Sequence, residues 1–254
     1  MDIITISPST VPWLACQKKF HTLAVLRQHN GFKEPSPVLR FANIVHDAMR
    51  RLYDPKSPGT LPHVEHLDTI LSTVFLRAPY RCEDDREYDR KRCRQLIFAY
   101  IEREEECDAV LTVAVEAGET YSAKRNGTVL YNMTARIDRI VARSTEVCMG
   151  IDYKLSTRLP DPEQILINML VLRKLMPGFG RYEFHIDSLH EQGFDRTTYH
   201  SHQMKGLLPI VTERAEQYLQ AQEYAAQPGE QCLFCPLQPD CRPRQTIDIE
   251  QDFD

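Results

Sequence analysis

Three cysteines crowd near the end of this 254-residue chain. Cys232, Cys235 and Cys241 form a C-x2-C-x5-C cluster, and Cys16 stands 216 residues ahead of Cys232. One centre holding all four thiolates ties the two chain ends together, and every element between must fold inside that loop. Four thiolates suit either a [4Fe–4S] cluster or a structural zinc. A zinc site of four cysteines usually shows two paired motifs, whereas this chain has one, so the spacing leans away from zinc without deciding. Cys82, Cys93, Cys107 and Cys148 show no metal spacing and read as buried or incidental thiols.

The rest of the composition is that of a globular domain, with 42% hydrophobic and 26% charged residues. No window reaches 18 consecutive apolar residues, so no transmembrane helix is expected. Met1-Asp2-Ile3-Ile4-Thr5 lacks the basic start of a signal peptide. A cytoplasmic location is therefore expected, where thiols outnumber disulfides. The net charge of −5 does not advertise a nucleic-acid binder. Its distribution is more informative: residues 1–100 carry 15 Lys+Arg against 11 Asp+Glu, and residues 101–254 carry 16 against 25. Lys18, Lys19, Arg27, Arg40, Arg50 and Arg51 are available to a basic groove, though such side chains are usually solvated.

Pattern divides the chain. Ser7-Pro8-Ser9-Thr10-Val11-Pro12 predicts a helix start capped by Ser9 or Thr10, running on through Trp13, Leu14, Cys16 and Phe20. Residues 38–53 predict an amphipathic helix, with Phe41, Ile44, Val45, Ala48 and Leu52 near one face. Residues 65–77 and 84–106 predict two more helices. Strands are predicted over residues 109–116, 119–125, 128–142 and 147–154, with Asn126-Gly127 as a hairpin turn. A helix opens at Asp161-Pro162-Glu163. Residues 181–190 and 196–200 predict returning strands, and a final helix is expected over 209–226. Residues 245–254 hold four acids and no base and predict a disordered tail. The order implies a mixed α/β fold with a sheet core.

Within this frame lies an acidic constellation. Asp138 follows Ile137 late in one predicted strand, and Asp152 ends the next. Lys154 is two residues on, so it leaves the same face as Asp152. His46 sits on the predicted 38–53 helix. Phosphodiester hydrolysis needs an activated water and a stabilised leaving oxygen, and cations held by carboxylates supply both. Magnesium and manganese prefer oxygen ligands, and manganese accepts an imidazole as well. A lysine beside the phosphate offsets developing charge. An Asp-x-Lys triplet alone is commonplace; the ordered set is not.

Those motifs resemble the PD-(D/E)XK nuclease superfamily, in detail its RecB/AddB-like branch that includes the iron–sulfur nuclease of CRISPR adaptation. The matching segments are Ala42-Asn43-Ile44-Val45-His46, Arg136-Ile137-Asp138-Arg139-Ile140 and Ile151-Asp152-Tyr153-Lys154. Gln164 matches a glutamine common in that branch, and Glu116 is a weaker counterpart of an upstream acid in some members. Ala135 replaces a frequent glycine, and Asn168 a usual tyrosine. The resemblance implies metal binding by His46, Asp138 and Asp152, with Lys154 and Gln164 completing the catalytic set. It also implies a [4Fe–4S] cluster on Cys16, Cys232, Cys235 and Cys241, with structural zinc as the alternative.

The implied architecture is a restriction-endonuclease-like mixed β-sheet core flanked by helices. It forms one nuclease domain over residues 1–244, with a helical insertion at about 54–107 and a small C-terminal iron–sulfur lobe built from 10–30 and 227–244. The expected activity is Mg2+- or Mn2+-dependent cleavage of DNA, by an exonuclease on single-stranded or frayed ends, in repair, phage DNA processing or CRISPR adaptation of a bacterium, archaeon or phage. No Gly-rich Lys motif of a nucleotide-driven helicase is present, so unwinding would need a helicase partner, and an integrase is a further candidate partner. The competing reading is a non-catalytic DNA-end-binding subunit.

Overall fold

A computed structural model of the chain describes residues 3–26, 36–56, 62–105, 111–229, 232, 235, 237 and 241. Strand β1 (Ile4–Ile6) leads into a 3-10 turn over Val11–Ala15, a short helix α1 (Gln17–Lys19) and a π-helical segment over Phe20–Val25. The expected long first helix is thus broken into three pieces. Thr10 precedes the 3-10 turn but does not cap it; its hydroxyl accepts the Ser7 N–H at 2.8 Å and closes a turn instead. Strand β1 was not expected. Three residues are too short to show a period.

Helix α2 (Pro37–Leu52) starts where proline costs nothing, in the first turn, with the Ser36 hydroxyl accepting the Leu39 N–H. Phe41, Ile44, Val45, Ala48, Met49 and Leu52 form its buried stripe. Helices α3 (Leu67–Arg77) and α4 (Glu83–Glu105) stand where the sequence predicts helices over 65–77 and 84–106. Then come β2 (Leu111–Arg125), β3 (Thr128–Ala142), β4 (Val147–Lys154), α5 (Pro162–Leu175), β5 (Arg181–His190), β6 (Gly193–His200) and α6 (Leu207–Gln220). The two strands expected over 109–116 and 119–125 are one strand, β2. The acidic tail and Cys107 lie outside the described residues.

Among the described residues six strands form one mixed sheet in the order β1-β3-β4-β5-β6, with β2 also paired to β3. The β4–β5 pair is parallel, as its crossover through α5 requires, and β2–β3, β3–β4 and β5–β6 are antiparallel. Each face carries its own core. Ile137, Ile140, Phe184 and Ile186 pack with Ile165, Met169, Val211 and Ala215 of α5 and α6. On the other face Val141, Met149, Ile151 and Tyr153 pack with Val45, Met49, Leu71 and Ile97 of α2, α3 and α4. No helix among the described residues is long and apolar enough to cross a membrane.

Strand β3 changes neighbours along its length. Tyr131–Met133 pair with β1, whereas Arg139–Ala142 pair with β4. Asp138 stands at the changeover. Side-chain alternation also slips there, since Ile137 and Ile140 belong to one core and Val141 to the other. Across β2, Glu116 takes a positive φ of 48°. A non-glycine residue in that region stores strain, and such positions gather at functional sites.

Gly150, two residues ahead of Asp152, is needed for space. A Cβ there would lie 2.8 Å from Phe184 ring carbons and 3.3 Å from Ile137 Cγ2. Gly150→Ala is therefore expected to destabilise the fold by about 1–3 kcal/mol, as overpacked cores do. A chemical denaturation curve with unchanged midpoint would contradict this account of the core.

Candidate active site

The acidic residues meet where β3 leaves β4. The Asp138 carboxylate accepts the backbone N–H of Tyr153 at 2.9 Å, so a side chain takes over the ladder contact that the diverging strands give up. Nδ1 of His46, on α2, stands 3.2 Å from the same Asp138 oxygen. Donor atoms of His46, Glu116 and Asp138 all lie within 4.8 Å of one another, the one such group among the described residues. Asp152 lies on the next strand, and the Lys154 ammonium donates to its oxygens at 2.8 and 3.0 Å. The two side chains do share a face, as their two-residue spacing predicts.

Electrostatics set these groups apart. Burial and then the Asp138 charge push Asp152 up to about 6, against the pull of Lys154. Burial also acts to raise Asp138, but the His46 hydrogen bond and charge and the Tyr153 amide hold it below the ordinary carboxylate range. His46 is raised: burial opposes its charge, and the hydrogen bond and charge of Asp138 outweigh burial. Glu116 is raised by burial and by Asp138. Carboxylates crowded in this way are poorly compensated, which is the condition a divalent cation relieves. Oxygen donors with one imidazole fit magnesium or manganese.

Behind the acids a buried polar network fixes both strands. Arg139, adjacent to Asp138, is 3% exposed. It donates to Glu104 of α4 at 2.7 Å and to Thr112 at 2.8 Å, and lies over the Tyr53 ring. The Tyr100 hydroxyl donates to Asp187 at 3.0 Å, and Arg196 holds the same carboxylate through two bonds of 2.7 and 2.6 Å. Two guanidinium groups, two carboxylates and their tyrosines thereby tie the helical insertion to β3, β5 and β6. Pairing of this kind is costly to break once buried.

Other sequence candidates fall elsewhere. Gln164 is in the first turn of α5, and its side chain makes no hydrogen bond among the described residues. Phe20 and Tyr153 are fully buried packing groups. Trp13 is half-buried with Lys19 over its ring. Glu116, offered by the resemblance only as a weak counterpart, is brought in by the register of β2 on β3.

The four cysteines converge away from the acidic residues. Cys16, Cys232, Cys235 and Cys241 line one small cavity with Lys18, Lys19 and Pro228. The Gln227 N–H donates to Cys16 Sγ at 3.5 Å, and the Gln227 side chain accepts the Gln17 N–H at 2.8 Å. Segments 211 residues apart are thus in contact, and the donor set is suited to a thiolate-bound centre.

Known proteins supply a last observation. The chain is similar in structure to SSO0001, at 12% identity and a TM-score of 0.37, covering 92% of this chain and 96% of that one. It is also similar to a candidate exonuclease from Eubacterium rectale, at 10% identity and a TM-score of 0.48, covering 90% of this chain and 87% of that one. No curated protein matches it. The sequence profile of the PD-(D/E)XK nucleases matches residues 5–242, which takes in every element of the sheet but the first residue of β1 and both chain-end cysteine segments. The chain belongs to the PD-(D/E)XK nuclease superfamily.

Proposed function

We propose that the chain is a metal-dependent DNA nuclease whose hydrolytic centre is His46, Glu116, Asp138, Asp152 and Lys154. One observation carries this reading: the His46, Glu116 and Asp138 donors lie within 4.8 Å of one another on three elements, beside the Asp152–Lys154 pair. A cation held there would polarise the phosphodiester and supply a nucleophilic water. The chain's own groups do the rest. Asp138 is held ready by the Tyr153 amide. Lys154 keeps a positive charge within reach of Asp152, where it can face the phosphate and offset developing charge. Gln164, at the mouth of α5, is the weakest member of the proposed set. A preference for single-stranded or frayed ends rests on the RecB/AddB-like motifs, as does a helicase or integrase partner.

We also propose a [4Fe–4S] cluster on Cys16, Cys232, Cys235 and Cys241. All four cysteines line one cavity. The single C-x2-C pair leans away from a four-cysteine zinc site, which usually draws on two paired motifs, and that spacing supports a multi-iron centre. The amide on Cys16 Sγ is the kind of hydrogen bond that tunes such clusters.

The test is cleavage of end-labelled linear and covalently closed circular DNA in manganese, with a chelator control. Linear DNA is expected to be degraded and the circle spared; neither substrate cut by iron-loaded, manganese-supplemented protein would overturn the nuclease reading. A manganese titration refines it. Binding must displace protons from Asp152, whose value is about 6, and from His46, which is raised. Apparent manganese affinity is expected to rise between pH 5 and 7.5, by about tenfold per pH unit for each proton displaced. Calorimetry at those two pH values reads this directly, and a pH-independent affinity would remove Asp152 and His46 from the ligand set.

A further inference from the structure

An open groove of about 430 Å³ begins where the acidic site ends. Leu155, Ser156 and Thr157, which follow Lys154, line it together with Ser188. Ser188 is the β5 partner of Lys154 in the parallel β4–β5 ladder. The groove therefore lies beyond the carboxyl ends of two parallel strands, the place where open α/β sheets seat their ligands. Helix α4 contributes Arg92 and Leu96 to its lining.

Arg92 differs from its neighbours on α4. Arg86 pairs with Glu83, Arg90 and Lys91 with Glu87, and Arg94 with Asp68. Arg92 is exposed and makes no ion pair with a carboxylate among the described residues. Its guanidinium instead lies 4.8 Å from the centre of the Phe41 ring, on the helix that carries His46. A guanidinium stacked on a ring keeps its N–H fork free for an anion and is already oriented. Hydroxyls of Ser156 and Thr157 in the same groove add neutral donors. A forked cation with nearby hydroxyls is the donor set that positions a nucleic-acid backbone.

A second open groove of about 590 Å³ borders the site at Glu116. It suits a phosphate chain poorly. Its Arg136 is already engaged with Glu116 at 3.7 Å, and Glu119 adds a second carboxylate. The first groove has one acid of its own, Glu191, at the β5–β6 turn, and its His190 stands 3.6 Å from Asp195.

We propose that the groove beyond β4 and β5 seats the backbone of the nucleic-acid strand next to the cleaved bond, with Arg92 pairing to a phosphate and Ser156 and Thr157 donating to its oxygens. The proposal rests on the nuclease reading of the acidic site and adds the path of the strand. Glu191 then lies close enough to that path to weaken binding, which gives the proposal a sign in both directions.

The experiment is fluorescence anisotropy with a labelled single strand of about 20 nucleotides, longer than common single-strand sites, in chelator so that nothing is cut. Arg92→Gln is expected to weaken binding roughly threefold to tenfold and to lower the slope of log affinity against log salt by about 0.7, one phosphate contact. Ser156→Asp should weaken binding as well, and Glu191→Gln should tighten it. Hydrolysis of bis(p-nitrophenyl) phosphate in manganese, a diester too small to reach the groove, should stay at the wild-type rate in all three. Unchanged affinity and salt slope in Arg92→Gln, with Ser156→Asp also without effect, would overturn the proposal. Should Arg92→Gln disturb the Phe41 contact and melt early, Ser156→Asp and Glu191→Gln decide the matter alone. A wild type that hydrolyses neither DNA nor the small diester defeats the nuclease reading, and the binding measurements still decide whether a strand lies in the groove.

Discussion

Asp152→Asn is expected to reduce manganese-dependent DNA cleavage by at least about a thousandfold, since the metal-held carboxylates contribute several kcal/mol of transition-state stabilisation. The same variant should fold, and in metal-free buffer near neutral pH it should be at least as stable as the wild type. The sign follows from the raised pKa. Asp152 titrates at about 6 in the folded protein against 3.8 for the ordinary carboxyl. Between these values the folded state binds the proton more tightly than the unfolded state, so stability contributed by this group falls as pH rises from about 4 to about 6. Asparagine keeps an amide near Asp138 and never takes on the unfavourable charge. Melting curves in chelator at pH 5 and pH 7.5 separate the two effects. The variant should gain on the wild type at the higher pH, while cleavage is lost at both. Near-normal cleavage by Asp152→Asn would remove Asp152 from the centre. Lost cleavage with a collapsed melting curve at both pH values would make it a structural residue instead.

The acids were legible in sequence because each sits at a strand position that local pattern defines. Thr128–Ala142 and Val147–Lys154 stand as the alternation predicted, so Asp138, Asp152 and Lys154 could be placed on neighbouring strands. Glu116 could not. Counting back from the Asn126-Gly127 turn, Arg125 pairs with Thr128 and Lys124 with Val129. That register would carry Val115 to the position opposite Asp138. A bulge between Ala123 and Lys124 shifts the pairing by one residue, after which Ala117 pairs with Ile137 and Val115 with Arg139. Glu116 thus comes to face Asp138. A single unpaired residue redirects every side chain beyond it, and nothing in local composition marks where it falls.

The same limit applies to the network behind the acids. Nothing in the local pattern marks Arg139, Glu104, Asp187 and Arg196 as buried partners. Their burial depends on how α4 crosses the sheet, which is a tertiary property. The slip in alternation at Asp138 is what turns Arg139 toward α4 while leaving Asp138 toward His46. Catalytic geometry and the anchoring of the helical insertion therefore share one irregularity in β3. The left-handed backbone of Glu116 across from it belongs to the same distortion. A regular hairpin would relieve that strain and separate the ligands.

The largest stability effect is expected at the other end of the chain. Cys16→Ala should cost about 5 kcal/mol if the four cysteines share one centre, by the loop-closure argument applied to a link spanning 216 residues. For a domain of this size that corresponds to a fall in melting temperature of roughly 10–20 °C. Cys16 is buried, so part of any loss could come from packing. Cys93→Ala measures that part, because Cys93 is fully buried in the other core with no metal spacing. Its effect should be much the smaller. Iron content and the visible cluster absorbance should fall in Cys16→Ala and stay unchanged in Cys93→Ala. The three remaining cysteines all lie between residues 232 and 241, so losing Cys16 releases the N-terminal strand and turns rather than the C-terminal loop. Strand β1 pairs with β3 at Tyr131–Met133, on the ladder that leads to Asp138. Weakened manganese binding should therefore follow the loss of stability, not precede it. Iron lost with an unchanged melting temperature would show that the centre does not hold the chain ends together, and would leave a redox task as the reason for four converging thiolates.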